Sequence, residues 1–315
     1  MAEYYKGLVR QATPGVSTLQ WQKPQITEQD DLKFSSISEI DRTLDAFRFR
    51  ICAPLNGTET YRVEGELRRV KPGQYLVLSP QQHARGEGNL GKTVDGICIF
   101  LTEATLASAA LGLRMPLSKR TGAPFPNTWQ QHDFIDKNYH LQENIFGQHL
   151  QSILPKLTGG GEIFIDWDAF YFDIAAHFLR AHYQIGEQLE AIPYTQMSTK
   201  REIFKRISLV HNYILDNFAS PVSLDELVRI ALFSKYHVVR LYRLIYGITP
   251  YQHILQLRIR EAKVLLQKDF DPKEVAFMLS FSDRSSFSKT FKKMTGMSPT
   301  CFRENLPRRD AHFKK

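Results

Sequence analysis

The chain has 315 residues, 43% of them hydrophobic and 23% charged, with a formal net charge of +8. That length exceeds one ordinary core and predicts two domains, while no apolar run reaches the roughly 20 residues that a bilayer-spanning helix needs. The charge is uneven: residues 200–315 hold 22 Lys and Arg against 11 Asp and Glu, which leaves 19 against 22 for residues 1–199. Only the basic part is therefore expected to meet a polyanion. Cys52, Cys98 and Cys301 are odd in number and far apart in the sequence, with no disulfide framework and no CxxC spacing. The start of the chain lacks the apolar core of a signal peptide, and the two observations together predict a cytoplasmic protein.

Residues 1–45 are mixed and give no assignment. From Phe47 the apolar period changes to two, and Phe47–Ile51, Glu59–Val63, Glu66–Val70 and Gln74–Leu78 read as short strands. Glu64-Gly65 suits a two-residue hairpin turn and Pro72-Gly73 a type II turn. Ile97–Leu101, continuously apolar, reads as a further buried strand. Short strands punctuated by turns predict a small barrel or sandwich. The pattern then becomes helical over Glu103–Leu113, Leu141–Leu157 (stopped by Gly159-Gly160-Gly161) and Trp167–Leu189. The last two helices can pack on their own barrel or on a partner chain. Residues 190–199, with Pro193, read as a linker, and Lys200–Phe218 opens the basic part with Ile203, Ile207, Val210 and Ile214 at helical spacing.

The next eighty residues repeat themselves. Leu227 matches Val275 and Ser234 matches Ser282 at an offset of 48, whereas Gly247 matches Gly296 and Pro250 matches Pro299 at 49. One residue is therefore inserted in the second copy, placed by this pairing just after the central serine. Each copy has a short helix carrying Leu224, Leu227, Val228 and Ala231, or Val275, Ala276 and Leu279. A turn follows, ending in Ser234 or in Ser282-Asp283, whose side chains can cap the next helix. That helix spans Lys235–Tyr246 or Arg284–Thr295, stops at a glycine suited to the left-handed position, and restarts at Thr249-Pro250 or Ser298-Pro299. This is a helix-turn-helix written twice, joined by a helix over Pro250–Gln267.

The pattern Leu224–Pro299 resembles the DNA-binding domain of the AraC-type (AraC/XylS) transcriptional regulators. The resemblance runs through Arg258-x-x-x-Ala262-x-x-Leu265-Leu266, Phe281-Ser282-Asp283-x-Ser285-x-Phe287-Ser288, Phe291-Lys292-Lys293 and Gly296-x-Ser298-Pro299, over roughly residues 200–305. It implies that the second helix of each unit enters a major groove of double-stranded DNA. Carried over by position, Tyr236, Val239 and Arg240 of the first copy and Arg284, Ser285, Ser286 and Lys289 of the second face bases. Arg240 and Arg284 suit guanine, since guanidinium pairs with O6 and N7 at once, whereas Val239 can touch only a thymine methyl or a sugar. Lys235, Arg243, Lys292 and Lys293, with the helix starts at Thr249 and Ser298, read as phosphate contacts. The resemblance also implies an activator with RNA polymerase as a partner.

Tyr61–Gly65 and Val70–Pro80, with His83, resemble the cupin-like barrel of ligand-sensing members of the same family. The segment has one histidine and no GxHxH-like pair, so neither a metal nor a cofactor is expected, and the chain is not read as an enzyme. Arg48 and Arg50 lie on one face of a strand, opposite Phe47, Phe49 and Ile51. Facing inward they invite a carboxylate or phosphate; facing outward they are solvated and the Phe face fills the core. Tyr61, Tyr75 and His83 are further candidate effector contacts.

The fold expected is thus two-domain α+β. Residues 1–193 form a cupin-like β-barrel (about 45–102) with following helices (about 103–189), for sensing and dimerisation. Residues 194–315 form an all-α double helix-turn-helix. The leading function is a DNA-binding regulator that answers a small-molecule effector and can form a homodimer. Two alternatives stand beside it, a ligand-independent or architectural DNA-binding protein and a cupin enzyme fused to a DNA-binding domain.

Overall fold

The computed structural model describes residues 4–12, 21–22, 29–44, 48–80, 82–113, 137–158 and 166–305. The chain divides into two compact units, Met1–Glu187 and Gln188–Lys315.

The first unit is built on one antiparallel sheet. Its strands are β1 (Tyr4–Ala12), β2 (Trp21–Gln22), β3 (Asp31–Thr43), β4 (Phe49–Pro54), β5 (Glu59–Val63), β6 (Glu66–Val70), β7 (Gln74–Leu78), β8 (Ala84–Leu101) and β9 (Asn138–His140). They run in the order β2-β1-β3-β8-β4-β7-β9, and β5 branches from β8 and pairs with β6. The β-rich unit expected from the sequence is present, and among the described residues its strand path is open, because its two ends, β2 and β9, do not pair. Before Phe47 lie β1, β2 and β3, of which β1 and β2 continue the sheet outward from β3. The long strand β8 organises the rest by pairing with β5 through Ala84–Gly86 and with β4 through Gly96–Leu101.

The β5–β6 hairpin follows from its turn, with φ of 48° at Glu64 and 83° at Gly65. Positive φ at both central residues matches the right-handed twist of the strands, and Gly65 tolerates it without a steric cost. Helices α1 (Glu103–Gly112), α2 (Ile145–Thr158) and α3 (Trp167–Glu190) complete the unit. Phe49 meets Phe178 of α3 edge-on at 5.6 Å, and Tyr75 meets Phe146 of α2 at 5.5 Å. The two helices therefore cover one face of their own sheet. The expected strand residue Phe47 and the glycine stop at 159–161 lie outside the described residues. No helix among the described residues is long and apolar enough to cross a membrane.

The second unit is all-helical: α4 (Met197–Asn217), α5 (Leu224–Ala231), α6 (Lys235–Tyr246), α7 (Pro250–Gln267), α8 (Pro272–Met278), α9 (Arg284–Thr295) and α10 (Pro299–Glu304). Its boundaries are set by local chemistry. Ser223 and Glu226 form a capping box at α5, Thr249 and Gln252 another at α7, and Asp271 and Glu274 a third at α8. Gly247 and Gly296 close α6 and α9 in the left-handed region, at φ of 77° and 85°.

One buried side chain joins the parts. Arg258, in the middle of α7, donates from Nε to the Phe218 carbonyl at 2.7 Å and from Nη2 to the Ser220 carbonyl at 2.8 Å. It also donates from Nη1 to the Ser280 carbonyl at 2.9 Å. Ser280 Oγ adds a bond to the Ala219 carbonyl at 2.7 Å. The three consecutive carbonyls that follow α4, left without helical partners, are thus satisfied from α7 and from the turn after α8.

Arg258→Met is expected to destabilise the chain by about 2–3 kcal/mol, because it removes charge-assisted bonds and strands their acceptors. Arg258→Lys should recover only part of that, since one ammonium cannot match the guanidinium fork. Denaturant midpoints measure both; a lysine variant as stable as the parent would refute the fork.

Candidate nucleic-acid interface

The two helix-turn-helix units are equivalent from cap to cap. In the first, Leu232 ends α5 at a positive φ of 54°, and Ser234 caps α6 by accepting from His237 N. In the second, Ser280 takes a φ of 52°, and Asp283 caps α9 by accepting from Ser286 N at 2.7 Å. The left-handed residues stand 48 apart and the caps 49 apart. The inserted residue therefore lies within the turn, before the cap, and the cap equivalent to Ser234 is Asp283. This corrects the placement after the central serine. It follows that Lys235 and Arg284 occupy the same helical position, as do Tyr236 and Ser285, Arg240 and Lys289, and Arg243 and Lys292.

Both second helices bury one stripe and present another. Val238, Leu241, Tyr242 and Ile245 of α6 are buried, as are Phe287 and Phe291 of α9, the latter among Ile259, Ala262, Leu266, Val275 and Leu279. Outward stand Lys235, Tyr236, Arg240 and Arg243 on α6, and Arg284, Ser285, Lys289, Lys292 and Lys293 on α9. Val239 and Ser286 are half-buried. The ammonium of Lys235 is held by Asp225 at 2.6 Å; both side chains are exposed, so the pair is weak and a phosphate can displace the carboxylate. Backbone bonds from the start of α9 hold the Asp283 carboxyl below its usual range, so it stays ionised beside the basic residues. Thr249 and Ser298 are occupied as caps, accepting from Gln252 N and Cys301 N.

A buried polar network fixes α6 from behind. Tyr242 OH lies 2.9 Å from His211 Nδ1 of α4 and 2.6 Å from His253 Nδ1 of α7, and the His211 ring stacks on Tyr246 at 4.0 Å. Sequence reading did not anticipate this network, since its three members come from three helices.

The candidate effector residues divide. Arg48 and Arg50 are buried at 3% and 9% exposure. Their guanidinium carbons lie 4.4 and 4.7 Å from the centre of the Phe100 ring, and Lys33 Nζ lies 4.9 Å from it. Asp31 answers Lys33 at 3.2 Å. Burial pulls the Lys33 ammonium and the Arg48 guanidinium below their ordinary pKa values, with Asp31 opposing. The register Arg50↔Phe100 and Cys52↔Cys98 puts these side chains on the sheet face away from Phe49. On that same face Tyr61 donates to the buried Glu59 at 2.6 Å. Burial raises the Glu59 carboxyl, and the Tyr61 hydroxyl opposes that rise.

Tyr75 is on the opposite face, stacked on Tyr139 at 5.3 Å and bonded to Asn144. His83 is exposed, 3.7 Å from Glu64. The five residues expected in one pocket therefore form no single site, because side chains alternate along each strand. The fold brings Cys52 and Cys98 together, Sγ to Sγ at 3.2 Å, although 46 residues separate them.

Residues 227–305 match the family described as a helix-turn-helix domain. The chain is similar to the probable transcriptional regulator LumQ of Photobacterium leiognathi, 37% identical over 29% of this chain and 38% of that one. It is 32% identical to the probable transcription factor PqrA of Proteus vulgaris over 29% of this chain and 75% of that protein. The transcriptional activator AarP of Providencia stuartii is 32% identical over 31% of this chain and 73% of its own length. In two other curated relatives the matched segment makes up 59% and 55% of the length.

Burial holds His253 down to about 4 in the folded chain, with Arg260 adding to the effect. The unfolded imidazole titrates near 6.5, so as pH falls from about 6.5 to about 4 the unfolded state binds the extra proton. Stability should decline across that window by an amount on the order of 3 kcal/mol from this group. Melting temperatures of the parent and His253→Gln measured from pH 7 to pH 4 check this. The variant should show the shallower decline, and parallel curves would remove His253 as a cause.

Proposed function

Because the chain belongs to the AraC/XylS family of DNA-binding transcriptional regulators, we propose that α6 and α9 read two adjacent major-groove segments on one face of a duplex. The observation that carries this is their equivalence: twelve-residue helices, each capped by an oxygen side chain and closed by a left-handed glycine. The joining helix α7 has 18 residues, or about 27 Å at 1.5 Å per residue, and one turn of DNA is roughly 34 Å. Where the spacing does not suit straight DNA, bending costs a few kcal/mol.

The superposed caps refine the roles. Arg284 and Lys235 stand at the first helical position, where a side chain reaches either a phosphate or the nearest base. Arg284 is read as the guanine contact, together with Ser285, Ser286 and Lys289. Lys235 is read as the phosphate contact its exchangeable pair with Asp225 allows. In α6, Arg240 and Tyr236 face bases, and half-buried Val239 is limited to a methyl group. Arg243, Lys292 and Lys293, with the caps Thr249 and Ser298, bind phosphates. The second unit then supplies most of the sequence discrimination.

The N-terminal unit, in this reading, binds an anionic effector. Lys33 of β3, Arg50 of β4 and Arg48 just before β4 converge on one ring, and guanidinium groups match a carboxylate or phosphate in two bonds at once. Binding there shifts the population of DNA-competent molecules. We read the outcome as activation, the activity named for one similar protein, with RNA polymerase and a second copy of the chain as partners. These cationic side chains favour the effector reading over a ligand-independent binder.

Arg284→Ala should lower affinity for the cognate site far more than for random DNA, with about 1–3 kcal/mol of discrimination lost. Competitive binding titrations decide, and equal losses on both would reassign Arg284 to a phosphate. In thermal-shift experiments on the full chain, an anionic metabolite should raise the melting temperature of the parent and not of Arg50→Gln. The same rise in both would place the ligand elsewhere, and no rise with sugar acids, organic acids or fatty acids would favour the ligand-independent reading.

A further inference from the structure

Three side chains on α2 and α3 form a cluster that the DNA and effector readings do not use. His149 lies on α2, and Asp173 and His177 lie one turn apart on α3. One ligand atom from each falls within 4.8 Å of the others. His149 Nε2 is 2.9 Å from Asp173 Oδ2, and His177 Nδ1 is 3.3 Å from Asp173 Oδ1. The two imidazoles are parallel, 3° apart, with their centres at 3.8 Å. From this geometry we propose that His149, Asp173 and His177 hold one divalent transition-metal ion, with water completing the coordination.

Three features carry the assignment. The first is direction: His149 Nε2 is buried and makes no hydrogen bond, although Asp173 Oδ2 is only 2.9 Å away. A hydrogen bond needs the carboxylate oxygen on the axis of the ring nitrogen. A tetrahedral ion needs it off that axis. With metal–nitrogen and metal–oxygen distances near 2.1 Å, the two ligand atoms would stand about 3.4 Å apart. The two spacings to Asp173 are close to that, whereas the parallel imidazoles must give up their stacking and turn toward each other for both lone pairs to meet one ion.

The second feature is support. His149 follows the buried Phe146 by three residues, and His177 precedes the buried Phe178; those two rings meet edge-on at 5.4 Å. The ligands thus border a packed seam, which fixes both helices while leaving the Asp173 side chain half open, at 54% exposure. The third feature is chemistry. Two imidazoles with one carboxylate suit zinc, cobalt, nickel or iron rather than magnesium or calcium. Two effects oppose binding. Lys156 lies near enough to act on His149 electrostatically, and His177 Nδ1 is also 2.9 Å from the Asp173 carbonyl, a hydrogen bond that this nitrogen gives up on binding the ion.

The test uses the full chain, stripped with a chelator and titrated with cobalt(II), followed by displacement with zinc(II). One equivalent should bind per chain, with visible bands of a low-coordinate cobalt centre that zinc abolishes. His149→Gln and His177→Gln should each weaken binding by at least roughly tenfold, and the double variant should lack the bands. Asp173→Asn, at the exposed position, gives the same reading should a histidine variant fold poorly, as monitored by far-ultraviolet circular dichroism. No stoichiometric binding by the parent, or bands that persist in folded variants, overturns the site. The result does not depend on whether the chain binds DNA or an anion.

Discussion

Arg258 is the interaction on which the geometry of the DNA-binding unit depends. Helix α7 lies between the two helix-turn-helix units, and its central guanidinium reaches the chain after α4 and the turn after α8. Few other side chains can do this. Five donors in a rigid plane serve three carbonyls at once, and every acceptor would be costly to leave unsatisfied. Ser280 completes the arrangement because its left-handed backbone turns both its carbonyl and its hydroxyl toward the same region. The polar junction therefore ties α7 to the chain after α4 and to the turn that precedes α9. The hydrophobic clusters beside it supply most of the stability but carry less directional information.

With the frame fixed, the difference between the two units is chemical. Both second helices have twelve residues and the same stop. The insertion in the second turn changes the cap from a hydroxyl to a carboxylate and leaves the helical register after it intact. A carboxylate at that point favours the positive end of the helix dipole. Lys289 lies near enough to help keep that carboxylate ionised. In α6 the cap is neutral, and the first basic residue, Lys235, is paired across the turn with Asp225. Each unit thus has a carboxylate near its leading cation, reached by a different route.

The helical half was legible in the sequence because its signals are local. Caps, stops and proline positions act over three or four residues, so Lys235–Tyr246 and Arg284–Thr295 are found at their expected ends. Glu59–Val63, Glu66–Val70 and Gln74–Leu78 were legible for the same reason, through turn chemistry and alternation. The strand order was not, since it is decided by pairings far apart in sequence. Asp31–Thr43 alternates only in part, and its place between β1 and β8 has no local signature. The repeat alignment erred by one position in the turn because Ser282 looks like a cap; only the backbone shows that Asp283 does that work. Arg48 and Arg50 were left between core and solvent. Alternation alone cannot tell a strand with one covered face from one such as β4, which is buried on both.

That double burial has an energetic consequence. Placing Lys33, Arg48 and Arg50 behind a sheet removes cations from water, and the lowered pKa values of Lys33 and Arg48 are the mark of that cost. Stacking on Phe100 and the Asp31 contact offset part of it. A sheet built only for stability would place apolar side chains at these positions, as it does on the opposite face with Phe49, Ile51 and Ile99. Keeping three cations on this face therefore carries a local desolvation cost that their polar and aromatic partners offset. An anion entering there would meet groups already desolvated and oriented, so its binding free energy would be spent on shifting the fold's populations rather than on arranging the site.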